Sequence, residues 1–281
     1  MQDWQIIPEI IGCNAPLRMA ALQAVDAVEQ GRHFVVEGEP GSGRRLLARS
    51  AWCRRSPGRS PGARSLLTLD CRMFHHDGAE MLLFGERTTN GAHNVIQLGK
   101  LNLAVGGGLL LLHAEFLPLK TQGRLAQTLE NHLFRPLGEG IQLLLTSNPA
   151  LHAPLSLHPK LAAMLLRVRV PPLRERVEDL RAIAEAFLRN ASPFEKIRCS
   201  QALIDRFCTY DWPGNVTELR SVLRRLLLQP HTGLLDVRHL ADLIYRDESC
   251  FGFMQGTRPI SSPISGGLVP QDASPENRNL Q

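Results

Sequence analysis

The stretch that most constrains this chain is residues 38–45, which read Gly-Glu-Pro-Gly-Ser-Gly-Arg-Arg. Its first and last glycines have the spacing of a phosphate-binding loop, G-x-x-x-x-G-K-[ST], but Arg44 stands at the position of the lysine. A short apolar run, Phe34-Val35-Val36, precedes the loop, and Leu46-Leu47-Ala48 begins a predicted helix after it. A strand, a glycine-rich turn and a helix in this order direct backbone N–H groups toward a phosphate. The pattern therefore predicts a nucleotide-binding loop without its lysine.

The substitution of lysine by arginine is not conservative at such a loop. Arginine keeps the positive charge, but its guanidinium is planar and fork-shaped, whereas an ammonium is a compact point charge. The alternative interpretation of the motif is a glycine-rich turn that binds no ligand. If the loop binds a nucleotide, the expected binding residues are Gly38, Gly41, Ser42, Gly43, Arg44 and Arg45.

The order of the predicted elements indicates an α/β domain followed by a smaller helical one. Apolar runs of strand type alternate with helical periodicity, and Leu109–Leu112 is typical of a strand buried in a parallel sheet. After Pro171-Pro172 the strand patterns end, and four helices are predicted, over 176–190, 200–209, 215–229 and 236–245. The chain beyond is rich in glycine, proline and serine, which predicts disorder. The predicted divisions are 1–172, 173–245 and 246–281.

Composition and charge limit the function classes only broadly. The net charge is +5, which permits contact with nucleic acid but does not establish it, and the arginines at 54, 55, 59 and 64 are interpreted as a solvated loop. No apolar run has the length of a membrane span, and the N-terminus lacks a secretory signal, so we expect a cytoplasmic protein with reduced cysteines and no membrane contact. His75-His76 has no partner at metal-ligand spacing, so no metal site is predicted.

Two longer motifs carry a family resemblance. The first is Pro171-Pro172-Leu173-Arg174-Glu175-Arg176 with Glu178-Asp179-Leu180, and the second is Trp212-Pro213-Gly214-Asn215-Val216 with Glu218-Leu219. Supporting matches are Gly38-Glu39, Asp70-Cys71, Leu83-Phe84-Gly85, Gly106-Gly107, Gln122 and Ser147-Asn148. From about residue 11 to residue 245 the chain resembles the AAA+ domain of bacterial enhancer-binding proteins, the ATPases that remodel sigma-54 RNA polymerase. The resemblance implies an AAA+ parallel sheet flanked by helices, with an all-helical lid domain.

The acidic pair of the family's Walker B motif is missing. Alignment through Ala104 and Gln122 places the pair on Leu112 and His113, and a slip of one residue places it on His113 and Ala114. Such carboxylates hold Mg²⁺ and position the attacking water, which leucine cannot do. Glu115 lies two or three residues further along and stays open as a substitute.

Other functional positions of the family also differ. The resemblance places its two arginine fingers on His158 and Met164, and its lid arginine on Thr217. In the loop that contacts the sigma factor, His93-Asn94-Val95 replaces Phe-Thr-Gly after the retained Gly91-Ala92. The polar residue that senses the γ-phosphate is retained as Asn148, which joins the candidate binding residues.

These departures favour a degenerate, non-hydrolysing member of the family over an active one. We expect weak binding of ATP or ADP with little use of Mg²⁺, and a role as a regulatory subunit in a homo- or hetero-oligomer. The expected partner is an intact enhancer-binding protein or the sigma-54 RNA polymerase complex. The alternative is an active ATP-dependent activator with atypical catalytic residues. Because the predicted tail takes the place of the family's usual helix-turn-helix, any DNA binding is expected to come through a partner.

Overall fold

The computed structural model of the protein describes residues 12–54, 65–74, 78–90, 93–130, 140–148, 157–192 and 196–240. The predicted disordered tail lies outside these residues, as do most of the arginine-rich loop and His75-His76.

A five-stranded parallel sheet forms the first part of the chain, with the strand order β2-β5-β6-β1-β7. Its strands are β1 (Phe34–Glu37), β2 (Leu66–Asp70), β5 (Gly108–Leu112), β6 (Gln142–Ser147) and β7 (Leu166–Arg169). Phe34 of β1 pairs with Leu144 on one side and with Leu166 on the other, so β1 is an interior strand. Because the strands are parallel, their carboxyl ends share one edge, and the segments after β1, β5 and β6 meet there.

Helices cover both faces of the sheet, which explains why the central strands are apolar throughout. Helices α1 (Ala15–Glu29) and α2 (Arg44–Cys53) bury one face, and α3 (Gly78–Phe84), α4 (Lys100–Leu103), α5 (Leu119–Glu130) and α6 (Pro159–Ala163) lie on the other. The strand residues alternate between the two cores: Leu110 and Leu112 pack with α1 and α2, whereas Leu109 and Leu111 pack on the opposite side. The predicted α/β fold is confirmed.

A two-stranded antiparallel hairpin projects from the α3–α4 region. Its strands are β3 (Gly85–Asn90) and β4 (His93–Leu98), and their register ends with Asn90 opposite His93. His93, Asn94 and Val95, which the resemblance places in the loop that contacts the sigma factor, are therefore the first residues of β4. Residues 91 and 92 lie outside the described residues, as do the side chains from 87 to 96. The sequence pattern did not predict this hairpin.

The second part of the chain is a small domain with its own core. Helices α7 (Leu180–Ala191), α8 (Gln201–Cys208) and α9 (Asn215–Leu227) pack around Trp212, Phe207 and their apolar neighbours. The predicted helical lid is confirmed, and beside its helices β8 (Arg198–Cys199) and β9 (Leu234–Leu235) form a short parallel pair. Two-residue strands leave no periodic signal in a sequence. The chain is helical again from 237 to 240, where the described residues end.

A membrane-spanning helix needs about 20 consecutive apolar residues. No described helix offers a span of that length and hydropathy.

Candidate nucleotide site

The predicted phosphate loop leaves the carboxyl end of β1 and turns into α2. The Gly38 N–H donates to the Ser147 carbonyl at 3.2 Å, which ties the start of the loop to β6. Gly41 and Gly43 have φ angles of 77° and 108°, in the left-handed region that favours glycine. Gly43 is the residue before α2, and as a glycine it offers no side chain to cap the first N–H groups of that helix. These groups therefore point toward a position suited to an anion.

The two arginines that follow Gly43 lie in different surroundings. Arg44 is only 6% exposed, and its buried Nη1 has no hydrogen-bond partner among the described residues. Burial lowers the pKa of Arg44, while the charge of Glu115 acts in the opposite direction. Arg45 is exposed to solvent. Arg44 is thus a buried cation at the loop, whereas Arg45 faces the solvent.

The end of β5, where the acidic pair is expected, carries no carboxylate. Leu112 is buried in the core beneath α1 and α2. His113 has a φ of 56°, so the chain turns sharply there, and its N–H donates to Thr146 Oγ1 at 3.0 Å. Neither alignment of the acidic pair therefore puts an Asp or Glu at this edge of the sheet.

Glu115 is a functional candidate that the sequence pattern left open. It lies in a 3-10 turn, Ala114–Phe116, and its side chain has no solvent-exposed area. Within the part of the chain that the structure describes, neither carboxylate oxygen accepts a hydrogen bond, and His113 Nδ1 is 3.5 Å from Oε1. A buried carboxylate without hydrogen bonds is costly, so it marks a site that structural needs alone do not explain.

The donor set of the site fits a nucleotide phosphate but does not fit Mg²⁺. The left-handed loop, the uncapped helix and the buried Arg44 supply N–H donors and positive charge. Mg²⁺ requires oxygen ligands. In this chain Arg45 stands at the motif position where a hydroxyl would bind the metal, and Leu112 stands at the position of a carboxylate ligand. Across the described part of the chain, no group of three or more His, Cys, Asp or Glu side chains could hold a metal ion.

The two positions assigned to arginine fingers have structural roles in this chain. His158 precedes α6, where its Nδ1 accepts from the Lys160 N–H at 3.3 Å and its own N–H donates to Gln122 Oε1 at 2.7 Å. Met164 ends α6 and packs partly buried against the core. Neither side chain offers the permanent charge of an arginine.

Asn148 lies directly after β6, the strand between β5 and β1, and is buried. It therefore lies at the same sheet edge as the loop. Thr217, at the position of the lid arginine, is also close to the loop, because its Oγ1 is 3.1 Å from the point that a Cβ on Gly41 would occupy.

The second domain is joined to the loop through Asn215. Its Oδ1 accepts from the Leu173 N–H at 2.7 Å, and its Nδ2 donates to the Pro40 carbonyl at 3.0 Å and to Glu39 at 3.1 Å. Glu39 in turn accepts two hydrogen bonds from Arg174, at 2.8 and 2.5 Å. The bond from Arg174, with that from Asn215, holds the pKa of the Glu39 carboxyl below its usual value. Residues from both motifs thus converge on one side of the loop.

Further contacts join the same two segments. The Val216 N–H donates to the Gly41 carbonyl at 3.1 Å, and Arg176 Nη2 donates to the Ser42 carbonyl at 2.7 Å. The motifs that carry the resemblance are therefore the connection between the sheet and the helical domain. The sequence pattern marked these residues but did not reveal that they bind the loop.

We expect Gly41→Ala to be more damaging than Gly31→Ala, which is a matched control. Both glycines have a positive φ, 77° and 69°, where a side chain costs about 1–2 kcal/mol. A Cβ at Gly31 meets no atom of the described residues within 4 Å, whereas one at Gly41 would lie 2.2 Å from the Gly214 carbonyl oxygen. Urea unfolding of the two variants measures the difference, and equal losses of unfolding free energy would contradict close contact between loop and second domain.

The fold and site together define the class of protein. A P-loop at the carboxyl end of an interior strand of the parallel sheet, closed by a small helical domain, is the arrangement of an AAA+ subunit. In agreement, residues 10–146 match the sigma-54 interaction domain and residues 174–250 match the AAA+ ATPase lid domain.

Individual relatives give the same result. The chain is 30% identical over 239 residues to regulatory protein LuxO of Vibrio cholerae, covering 79% of this chain and 44% of that protein. It is 30% identical over 278 residues to the anaerobic nitric oxide reductase transcription regulator NorR of Vibrio vulnificus, covering 92% and 52%. The chain spans about half the length of the curated relatives it matches. It therefore belongs to the family of AAA+ domains found in sigma-54-dependent bacterial transcription regulators.

Among solved structures, NtrX from Brucella abortus in complex with ADP has the same fold. Its TM-score is 0.66 at 19% sequence identity, and the match covers 82% of this chain and 54% of that one. The NtrX structure in complex with ATP matches equally well, with a TM-score of 0.66 at 20% identity.

Proposed function

We propose that this protein is a nucleotide-binding but non-hydrolysing subunit that regulates a competent enhancer-binding protein. The observation that carries the proposal is the end of β5, where Leu112 is buried in the core and His113 turns the chain away. No carboxylate follows the strand directly to hold a metal or orient water. Three more functional groups of the family are replaced, by Arg44, Met164 and Thr217. Catalytic groups of this kind each raise the rate of hydrolysis by orders of magnitude.

Nucleotide binding is the part of the family's activity that the site still supports. The proposed binding residues are Gly38, Gly41, Ser42, Gly43, Arg44, Arg45 and Asn148. The loop geometry and the uncapped α2 favour a phosphate, and NtrX, which has the same fold, was crystallised with ADP and with ATP. Because the metal ligands are replaced, binding is weak and gains little from Mg²⁺.

Regulation through a partner follows from what the chain retains. The contacts of Asn215, Arg174 and Arg176 that hold the helical domain on the loop are intact, so the subunit keeps an AAA+ shape. When such a subunit enters a ring, Met164 stands where the family has an arginine finger. The neighbouring nucleotide site then lacks the cation that the arginine would supply. Such a subunit lowers or tunes the activity of the assembly with the sigma-54 RNA polymerase complex.

We expect the purified protein to release phosphate from Mg-ATP at no more than the background rate. The reason is the missing carboxylate pair, and the measurement is steady-state phosphate release beside an intact family member under the same conditions. Turnover that requires Mg²⁺ and disappears in Gly43→Val would contradict the proposal and favour an active ATPase with atypical residues.

We expect the protein to co-purify with an intact enhancer-binding protein of its own cell and to change that protein's ATPase rate. Co-expression with each such protein, followed by affinity purification and rate measurement, tests this. Met164→Arg restores a cation at one finger position and should reduce the inhibition, while Met73→Ala, at an exposed methionine, serves as the control. Absence of both binding and rate change with every partner would refute the regulatory role.

A further inference from the structure

Two exposed arginines of α9 lie over one aromatic ring of α7, on the surface of the helical domain. The guanidinium carbons of Arg220 and Arg224 are 5.4 and 5.8 Å from the centroid of the Phe187 ring. Residues four apart on a helix are neighbours on one face, so the two cations stand side by side. The ring itself packs against the core of the helical domain. Because the ring attracts both guanidinium groups, the arginines are held in place before any partner binds.

The positive charge of these arginines is not neutralised by the helices that carry them. The acidic residues of α7 and α9 are Glu185 and Glu218 alone. Glu185 is 3.4 Å from an arginine of its own helix, and Glu218 accepts two hydrogen bonds, one of them from the Gly214 N–H at 2.7 Å. Among the residues that the structure describes, Arg220 and Arg224 form no ion pair. The surface is therefore free to bind negative groups of another molecule.

An exposed leucine extends this surface by one helical turn. Leu228 follows Arg224 by four residues and Arg220 by eight, so the three lie along one line roughly 12 Å long. Its backbone keeps right-handed helical angles at the end of α9. Its side chain is 87% exposed, more than any other large hydrophobic side chain in the described part of the chain. The helix thus presents two cations and then an apolar side chain at intervals of one turn.

We propose that Phe187, Arg220, Arg224 and Leu228 form a docking surface for an acidic amphipathic helix of a partner protein. Two carboxylates one turn apart on such a helix match the two arginines, and an apolar side chain one turn further covers Leu228. Arginine and aromatic side chains are frequent anchors of protein interfaces. The proposal goes beyond the proposed function, because this surface contains no residue of the nucleotide site.

A single-stranded nucleic acid matches the same surface less well. Such strands bind proteins by stacking their bases on aromatic rings. The Phe187 ring is occupied by the two guanidinium groups and by the core behind it. A phosphate backbone would also give Leu228 no apolar contact.

The test is binding of the full chain to a synthetic helical peptide that carries two glutamates one turn apart and a leucine one turn further on. We expect binding in fluorescence anisotropy that weakens as salt is added. R220Q/R224Q should weaken it about tenfold, through the loss of two exposed ion pairs. L228S should also weaken it. R198Q/R238Q is the matched control, because it removes the same charge from two other exposed arginines of the helical domain and should retain binding.

Charge reversal tests the pairing itself. R220E/R224E should lose the glutamate peptide and bind its lysine counterpart, with an unchanged Tm. Absence of binding to the glutamate peptide would overturn the proposal, as would equal losses in R220Q/R224Q and R198Q/R238Q, which would show an effect of net charge alone. Tighter binding of a single-stranded oligonucleotide that R220Q/R224Q abolishes would make this a nucleic-acid surface instead. A dimer in sedimentation that R220Q/R224Q dissociates would make it an interface between copies of the chain. Measurements with ATP or ADP bear only on the proposed function.

Discussion

Trp212→Ala is expected to unfold the helical domain while leaving the α/β sheet folded. Trp212 is among the largest fully buried side chains, and it packs edge-on against Phe207 and Tyr210 with ring centroids 5.4 and 5.1 Å away. Its indole N–H also donates to the Phe207 carbonyl at 2.8 Å. Truncation of a large buried aromatic residue costs about 3–5 kcal/mol, most of the stability expected of so small a domain.

The effect should stay local because the helical domain has a core of its own. Its buried cluster around Phe207 and Leu223 contains none of the sheet residues. Hydrogen exchange should therefore accelerate across 180–240 and stay slow in β1, β5 and β6. Trp212→Phe retains a ring and should lose less, while Leu228→Ala, at a side chain 87% exposed, should change little. A single cooperative loss of the whole fold in Trp212→Ala would show that the two cores are not independent.

Among the strands of the sheet, complete burial made prediction from the sequence possible. Leu109–Leu112 is apolar at every position because helices cover both faces of its strand. Strand β7, Leu-Arg-Val-Arg, was not predicted, because an edge strand of four residues is half exposed and too short for a clear pattern. The β3–β4 hairpin was missed because its first strand, Gly-Glu-Arg-Thr-Thr-Asn, is polar.

The candidate site was predictable where it is local in sequence and unpredictable where it depends on strand order. The loop from Gly38 to Arg45 is contiguous, so its glycine spacing alone predicted a turn between a strand and a helix, and Gly41 and Gly43 have positive φ there. That the loop after β1 and the turn after β5 lie at the same edge of the sheet depends on β6 lying between β1 and β5, which no spacing along the chain reveals.

Asn215→Ala is expected to separate the helical domain from the phosphate loop. Asn215 is fully buried, and its side chain joins Leu173, Pro40 and Glu39 through three hydrogen bonds. Each buried group left without a partner costs about 1–3 kcal/mol, so we expect a loss of roughly 2–4 kcal/mol in the free energy of unfolding. Glu39 would also lose one of the hydrogen bonds that stabilise its charge.

Part of that loss has a second cause, which a further variant isolates. Asn215 has a φ of 52°, a left-handed conformation that asparagine tolerates better than alanine does. Asn215→Gly removes the side chain without that strain, and Asn102→Ala, at an exposed asparagine in α4, controls for the substitution itself. Urea unfolding should rank the losses as Asn215→Ala, then Asn215→Gly, then Asn102→Ala close to zero. Wild-type stability in Asn215→Gly would show that strain alone explains the alanine variant. In that case the hydrogen bonds of Asn215 would not couple the helical domain to the loop.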